Sequence, residues 1–160
     1  MKVFAILSVL VLIATLVFVG WMYMTANVVV EATGVTAVEA ESQPQLFAEL
    51  QEQMRLGAVV GTAFTSTGEL GKAEDYQFYA YTIRLRNDCA VAAELIELQV
   101  TPMAGDVLQL GTNADLVLPA HATGDITATI LTRRDMHPIR EVTVTYYAWG
   151  VPFSVKTTVR

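Results

Sequence analysis

The most constraining feature of this chain is a long N-terminal stretch without charge. No Asp, Glu, Lys or Arg occurs between Val3 and Val30, and the positions Val3–Met24 are almost all aliphatic or aromatic. A helix of this length is about 33 Å long, which matches a bilayer hydrocarbon core of about 30 Å. The stretch therefore predicts a membrane span, with the lipid bilayer as its partner.

A cleavable signal peptide is the alternative interpretation of this segment. Signal peptides have an apolar stretch of about 7 to 15 residues and end in small residues at the cleavage site. Here the stretch is longer and ends in large side chains, among them Trp21 and Tyr23, which suit the aromatic belt of a membrane surface. We therefore expect residues 1–26 to be retained as a single-pass anchor.

The charges that flank the span predict its orientation. Lys2 lies on the N-terminal side, whereas Glu31, Glu39 and Glu41 follow on the other side. Under the positive-inside rule the N-terminus stays in the cytoplasm. Residues 27–160 are then expected to form one domain outside the cell membrane.

The predicted outer domain is acidic. All 16 Asp and Glu lie at or beyond Glu31 together with nine of the ten Lys and Arg, which gives a net charge of −7. Nucleic acids and anionic lipid headgroups are bound by clustered Lys and Arg, so neither is expected as a partner. Solubility alone would also explain the acidity.

Few residues in the chain could perform catalysis or bind a metal. Cys89 is the only cysteine, so no intrachain disulfide forms, and neither His121 nor His137 has a second ligand at zinc spacing. A nucleophilic Cys89 would need a histidine partner, and none is nearby in sequence. With no nucleophile elbow, phosphate loop or dinucleotide fingerprint, we expect a non-enzymatic protein without a cofactor.

Two chemical alternatives remain open. Asp106, Asp115 and Asp125 occur in turn-like surroundings and could bind calcium with backbone carbonyls, although Asp is also a common turn residue. The first alternative function is therefore an extracytoplasmic ligand or cation sensor. The second is a hydrolase of envelope polymers, which would need two carboxylates facing one cleft.

Beyond residue 26 the hydrophobic pattern changes from helical to alternating, with turn residues about every ten positions, which predicts a mainly β domain. Gly34 is expected to mark a bulge, and Gly150–Pro152 to connect a final hairpin. Seven or eight strands are expected among the segments Asn27–Val38, Ala58–Phe64, Tyr76–Asn87, Glu94–Thr101, Val107–Leu110, Leu116–Leu118, Ile126–Thr132, Glu141–Trp149 and Phe153–Val159.

One amphipathic helix is predicted between the first strands, at about residues 43–56. Ser42 and Gln45 are spaced as a capping box, Pro44 suits the first turn, and Gly57 suits the stop. An apolar stripe at helical spacing is expected to pack on the sheet. Its members are Leu46, Phe47, Leu50 and Met54.

This arrangement fits an immunoglobulin-like β-sandwich best, and a small barrel is the alternative. The segments Tyr79–Asn87 (YAYTIRLRN) and Leu118–Gly124 (LPAHATG) resemble a strand ending in Asn and a Pro or Gly turn of bacterial membrane-anchored Ig-like domains of the late-embryogenesis-abundant and FxLYD groups. The resemblance extends over Tyr79–Ile130, about a third of the chain. It implies the sandwich architecture and no catalytic residues.

One cationic cluster departs from the acidic background. Arg133, Arg134, His137 and Arg140 precede the final hairpin and could contact an anion or a partner, while a solvated loop is the other interpretation. The absence of Asn-x-Ser/Thr acceptors and the single cysteine favour a bacterial envelope. The expected function is thus that of a membrane-anchored Ig-like binding or assembly module whose partner is another envelope protein.

Overall fold

The computed structural model describes residues 2–57, 59, 64–66, 68–111 and 116–160, with Lys2 and Val3 described by their backbone only. The expected strand Ala58–Phe64 falls mostly outside these residues. These residues contain two α-helices, α1 (Lys2–Met24) and α2 (Pro44–Arg55). The strands are β1 (Val28–Glu39), β2 (Tyr76–Asn87), β3 (Ala93–Val100), β4 (Asp106–Leu110), β5 (Leu116–Leu118), β6 (Thr123–Arg133), β7 (Arg140–Ala148) and β8 (Val151–Val159).

Helix α1 is long and apolar enough to span a membrane. Its segment Phe4–Met24 has a mean hydropathy of 2.6, and none of it is buried against the rest of the chain. The hydroxyls of Ser8 and Thr15 donate to the carbonyls of Phe4 and Val11, so these polar groups are satisfied within the helix. Three residues then separate Met24 from β1.

The strands form two antiparallel sheets, which confirms a mainly β chain with an N-terminal apolar helix. The first sheet has the order β1-β2-β6-β4, and the second has the order β5-β3-β7-β8. Strand β2 has the predicted bounds and lies inside its sheet, between β1 and β6.

The two sheets share one hydrophobic core, which buries the inward-facing residue of each alternating pair. In β2 these are Tyr79, Tyr81, Ile83 and Leu85, as the pattern predicted. The other sheet contributes Ile96, Leu98, Val100, Leu118, Val142, Val144, Tyr146, Ala148 and Val159, and β6 contributes Ile126, Ala128 and Ile130.

Helix α2 covers the outer face of the first sheet. Phe47 and Leu50 are buried against Phe78, Leu108 and Leu131 in a second, smaller cluster. The prediction that the apolar stripe packs on the sheet is therefore confirmed. The packing of α2 also explains why Leu131 is buried, although it lies on the face of β6 opposite to Ile130.

The predicted capping box is wrong. Helix α2 begins at Pro44 after Gln43, and no side chain caps it. The hydroxyl of Ser42 instead donates to the carbonyl of Glu39, because Ser42 belongs to a separate 3₁₀ turn. Gly57 has φ of +63°, as expected for a left-handed helix stop.

Two local predictions in the strands also need correction. The register of β1 with β2 shifts between Val30 and Ala32, so the bulge lies there and not at Gly34. The final hairpin turns at Trp149 and Gly150, both with positive φ, because Ala148 pairs directly with Val151. Pro152 lies within β8, an edge strand that tolerates a missing N–H.

The antiparallel registers assign the loops within the described residues to one of two ends. The anchor-proximal end is the one at which β1 begins, next to α1, and it includes Asn87 and the Trp149–Gly150 turn. The distal end is the one at which β1 finishes at Glu39, and it includes Tyr76 and Arg133. The cationic cluster predicted from the sequence therefore lies in the part of the domain farthest from α1.

Candidate recognition surface

The distal end is built around the loop of residues 134–139, which joins β6 to β7. Side chains of β2 hold the backbone carbonyls of this loop. The Gln77 amide donates to the carbonyls of Arg134 and Met136 at 3.1 and 3.2 Å, and the Tyr79 hydroxyl donates to that of Met136 at 2.8 Å. These hydrogen bonds attach the 134–139 loop to β2, an inner strand of the first sheet.

Tyr81 continues this row of donors. Its ring is fully buried, and its hydroxyl donates to the carbonyl of Pro138 at 2.7 Å. Burial raises the pKa of Tyr81 well above its ordinary value. The hydroxyl therefore remains a neutral donor throughout the physiological range.

Arg140 and Asp106 form a buried ion pair beneath the 134–139 loop. The Arg140 guanidinium donates Nε and Nη2 to the two carboxylate oxygens of Asp106 at 3.2 and 2.8 Å, and both side chains are 0% exposed. Nη1 also donates to the carbonyls of His137 and Ile139, and Asp106 accepts from the backbone N–H of Met103. This buried pair joins the 134–139 loop to the β3–β4 turn.

The β3–β4 turn also contacts the 134–139 loop directly. Gly105 has φ of +101°, and a Cβ atom at this position would lie 3.0 Å from the Met136 sulfur. The Gly105 carbonyl accepts from the backbone N–H of Arg133 at 3.1 Å. Only glycine suits this backbone and this close approach, and the two loops therefore form one unit.

The unit presents apolar side chains to solvent. Met103 is 43% exposed and Ile139 is 45% exposed, while Met136 is half-buried between the two loops. We refer to Met103, Met136 and Ile139 as the distal apolar patch. Its backbone is fixed from below by a buried ion pair and by tyrosine hydroxyls, so the patch is apolar, exposed and rigid.

The sequence-predicted cationic residues are not brought together on one surface. Arg140 lies in the interior, whereas Arg133, Arg134 and His137 are exposed. Arg133 pairs with Asp135 at 3.5 Å, and Arg134 pairs with Glu39. Arg140 is therefore a structural residue in this fold and is not available to an anion in solvent.

Arg133 and Arg134 do share a surface cavity of about 450 Å³. The cavity is lined by Glu74, Asp75, Tyr76, Arg133, Arg134 and Asp135. Three carboxylates thus accompany two guanidinium groups, and this balance gives an anion no strong electrostatic advantage.

The aspartates considered for calcium have other partners. Asp106 is occupied by Arg140, and Asp125 accepts two hydrogen bonds from Arg84 at 2.8 Å, which lower the pKa of Asp125. Asp115 lies outside the described residues. Among the described residues there is no group of three or more His, Cys, Asp or Glu placed to hold a metal ion.

Cys89 lies in the interior at the anchor-proximal end. It is 0% exposed, and burial raises the pKa of its thiol. Its backbone N–H donates to the side-chain oxygen of Asn87, whose amide nitrogen donates to three carbonyls, those of Val91, Leu118 and Pro119. The environment of Cys89 is that of a packed structural residue, because a reactive thiol needs access and a lowered pKa.

Sequence reasoning missed the residues that build the distal surface. Gln77 acts on loop backbone 57 positions away, at Arg134, and Asp106 pairs with Arg140, 34 positions away, so no local pattern connects either residue to its distant partner. The sequence did contain a signal for the ion pair: Asp106 stands at the start of the short apolar strand β4, and Arg140 stands at the start of β7. Opposite charges at two strand ends suggest a pair only once the strands are known to meet.

Comparison with known proteins adds no assignment. No protein-family model matches the chain, and no curated protein is significantly similar to it. The functional argument therefore depends on the geometry of the two ends of the domain and on the chemistry of their exposed side chains.

Proposed function

We propose that this protein is a single-pass membrane-anchored binding module, without catalytic activity, whose outer domain binds another envelope protein. The observation that carries the proposal is the distal apolar patch, presented on clamped loops at the end opposite α1. A module anchored in this way offers that end to partners that lie farther from the membrane.

The rigidity of the patch favours binding. Loops that are ordered before association lose less conformational entropy when a partner docks, so more of the contact energy appears as affinity. Exposed Met and Ile side chains supply apolar contact area, and Met is enriched at protein interfaces. The ion pairs of Arg133 and Arg134 next to the patch provide the polar rim that such interfaces commonly have.

We assign the outer domain to an immunoglobulin-like sandwich. The support is the pair of antiparallel sheets with a common core and loops collected at the two ends, which is the arrangement in which Ig-like domains place their recognition loops. The anchor would be α1, with its N-terminus in the cytoplasm and residues 27–160 outside the cell membrane, as the flanking charges of Lys2 and Glu31 favour.

The cation sensor is less well supported than the binding module. Two of its three candidate aspartates already accept hydrogen bonds from arginine side chains. A calcium ion would have to displace Arg140 from a fully buried site or Arg84 from a bidentate pair, and each displacement has a free-energy cost.

The proposal is tested by substitutions within the patch. Full-length protein with Met103→Ser and Ile139→Ser is compared with the wild type in quantitative co-purification from gently solubilised native membranes. A stoichiometric envelope protein that is recovered with the wild type and lost with the double variant supports the proposal.

Leu56→Ser provides the matched control, because Leu56 is an exposed apolar residue at the end of α2 and outside the patch. We expect this variant to retain the partner. Equal recovery of the partner with all three proteins, or recovery of the chain alone, would exclude the distal patch as the binding surface.

A second docking mode is favoured by the free edge of β1. The segment Ala32–Val38 contains no charged residue and no Pro, and five of its residues are exposed at the edge of the first sheet. Unprotected edges of this kind accept an added strand. We propose an extended segment of a different protein as the occupant, because an antiparallel pair of copies would place their anchors at opposite ends and could not form in one membrane.

Lysine substitutions at the edge test this mode separately from the patch. Ala32→Lys with Thr36→Lys adds charge at exposed positions opposite Arg84 and Ala80, on the face of β1 that points away from the shared core, and such charge blocks strand addition. Loss of the partner in this variant, with retention in the Met103→Ser and Ile139→Ser variant, would assign binding to the edge of β1.

A further inference from the structure

The anchor-proximal end of the second sheet carries a row of exposed apolar residues. Tyr147 of β7 pairs with Glu94 on one side and with Pro152 on the other, while Leu95 forms the bulge between β3 and β5 next to Val117. Leu95 is 57% exposed, Val117 53% and Tyr147 39%. Val151, which is 39% exposed, lies at the same end on the opposite face of the sheet, beside Ala148, and with it these side chains define what we call the proximal rim.

At this end two bulky apolar residues adopt backbone conformations that such side chains disfavour. Leu95 has φ of +49° and Trp149 has φ of +53°, a region that large side chains rarely adopt. In a two-residue hairpin turn the position of Trp149 favours Asn, Asp or Gly. Strain of this kind is often kept where the side chain has a function.

The height of the rim relative to the span follows from one ring contact. Tyr23, in the last turn of α1, lies 5.3 Å from the ring of Phe153, measured between centroids. Along β8, Val151 and Pro152 precede Phe153 in the direction of the anchor-proximal turn. The rim therefore lies level with the final residues of α1.

The connection to α1 leaves little freedom to move away from this position. Only Thr25, Ala26 and Asn27 join the helix to β1, and three extended residues span at most about 11 Å. Ala26 packs against the core, and the backbone N–H of Val28 donates to the buried Tyr146 hydroxyl at 3.1 Å. The short connection is thus itself fixed to the domain.

We propose that the proximal rim is a lipid-contact surface that lies in the headgroup region of the bilayer spanned by α1. The inference depends on the proposed membrane anchoring and adds a second, peripheral contact to it. The Tyr147 ring with neighbouring aliphatic side chains suits this region, because the ring is apolar and its hydroxyl can hydrogen-bond.

The charges at this end select the class of lipid. Arg86 pairs with Glu31 at 2.8 Å and with Asp88 at 2.7 Å, and Arg84 pairs with Asp125 at 2.8 Å. These guanidinium groups are therefore neutralised by carboxylates. The rim should bind membranes of zwitterionic phosphatidylcholine, with a contact that depends on apolar area and not on anionic headgroups.

The buried thiol of Cys89 allows a site-specific test in the full-length protein. Leu95→Cys places a label on the rim, and Met103→Cys places the same label at a similarly exposed position of the distal end. Each variant is labelled with bimane and reconstituted as one copy in a phosphatidylcholine nanodisc. Quenching is measured with a lipid that carries a nitroxide near its headgroup.

We expect a roughly twofold loss of bimane fluorescence for the label at position 95, no loss for the label at 103, and no change when phosphatidylglycerol or salt is added. Adding Val117→Ser and Tyr147→Ser to the Leu95→Cys protein should reduce the quenching. Circular dichroism of this variant in the nanodisc establishes that the domain remains folded.

The outcomes separate this inference from the proposed anchoring. An unquenched label at position 95 in a protein that stays in the nanodisc through alkaline extraction would overturn the lipid contact and leave the anchor intact. Loss of the protein from the nanodisc would overturn both. Quenching that appears only with two copies in one nanodisc would assign the rim to a contact between copies instead.

Discussion

The guanidinium of Arg140 and the carboxylate of Asp106 form a two-pronged ion pair that is completely closed to solvent. The pair connects the start of β7 to the start of β4 and thereby joins strands of different sheets. Because its remaining hydrogen bonds go to loop backbone, it determines the shape of the distal end as well as its stability.

Removal of one partner should therefore be costly. Asp106→Ala leaves Arg140 buried without its counter-charge, and such changes reduce the free energy of unfolding by about 3–5 kcal/mol. Urea unfolding of full-length protein in detergent, followed by circular dichroism, measures the loss. The double variant Asp106→Ala with Arg140→Met should lose less than the sum of the single variants, whereas strict additivity would contradict a direct pairing.

Gly105→Ala should destabilise the protein and disturb the distal surface at the same time. The change forces φ of +101° on an L side chain and places a Cβ atom 3.0 Å from the Met136 sulfur. We expect a loss of about 1–3 kcal/mol in the free energy of unfolding. Gly34→Ala is the control, since a Cβ atom added at Gly34 would meet nothing within 4 Å and the φ of Gly34 is ordinary; an equal loss in both variants would contradict the role of Gly105.

Tyr81 should make the protein sensitive to alkali. Burial raises its pKa in the folded state above the value of about 10 in the unfolded chain, so its contribution to stability is complete below pH 10. As the pH rises above 10 the unfolded state ionises first, and stability falls until the pH passes the folded pKa. The expected observation is a melting temperature that decreases above pH 10.

Tyr81→Phe provides the comparison. At neutral pH the variant loses the hydrogen bond to Pro138, which costs about 1 kcal/mol. Above pH 10 its stability should decrease less steeply than that of the wild type. Tyr147→Phe, at an exposed position, should follow the wild-type curve, and identical curves for all three proteins would show that Tyr81 does not control the alkaline transition.

Cys89 should react with a maleimide only when the domain opens. The thiol is fully buried, and burial raises its pKa, so both the access and the thiolate fraction are small in the native state. We expect labelling to be negligible at pH 7.5 and complete after denaturation, as measured by mass spectrometry. Rapid labelling of the native protein would indicate that the anchor-proximal end opens readily.

Leu50→Ala tests the packing of α2 on the outer face of the first sheet. Leu50 is 3% exposed within the second cluster, and truncation of such a side chain costs about 2–5 kcal/mol. Leu56→Ala, at the exposed end of the same helix, should cost far less. Similar losses in the two variants would mean that α2 does not depend on its apolar stripe.

The parts of the fold that the sequence predicted were those with regular periodicity. The bounds of β2 and the inward orientation of Tyr79, Tyr81, Ile83 and Leu85 followed from alternation alone. The apolar stripe of α2 followed from helical spacing. Backbone geometry sets the period at which side chains return to the same face, in a strand as in a helix. Because one face is buried, apolar residues recur in the sequence with that period.

Predictions that depended on individual hydrogen bonds were less successful. Ser42 has the spacing of a capping residue, yet its hydroxyl donates to Glu39, because a 3₁₀ turn precedes α2. Gly34 was expected at a bulge, yet the register shifts at Glu31 instead. Several backbone conformations are compatible with each of these residues, and the packing around them selects one.

The candidate surface also could not be predicted from local sequence, because it depends on packing. Arg133, Arg134, His137 and Arg140 are close in sequence and look like one cationic cluster, but the strand register turns Arg140 inward to meet Asp106, 34 positions away. The apolar patch of Met103, Met136 and Ile139 has no local signal, because its members come from two loops that only the fold brings together.

The sequence by itself therefore determined an apolar helix of membrane-spanning length, a mainly β domain and the inward face of its strands, since hydrophobic periodicity and length are local properties. The tertiary structure decided which loops share an end, which charges are buried and which apolar residues remain exposed. These properties depend on strand order and register, which arise from contacts between residues far apart in the chain.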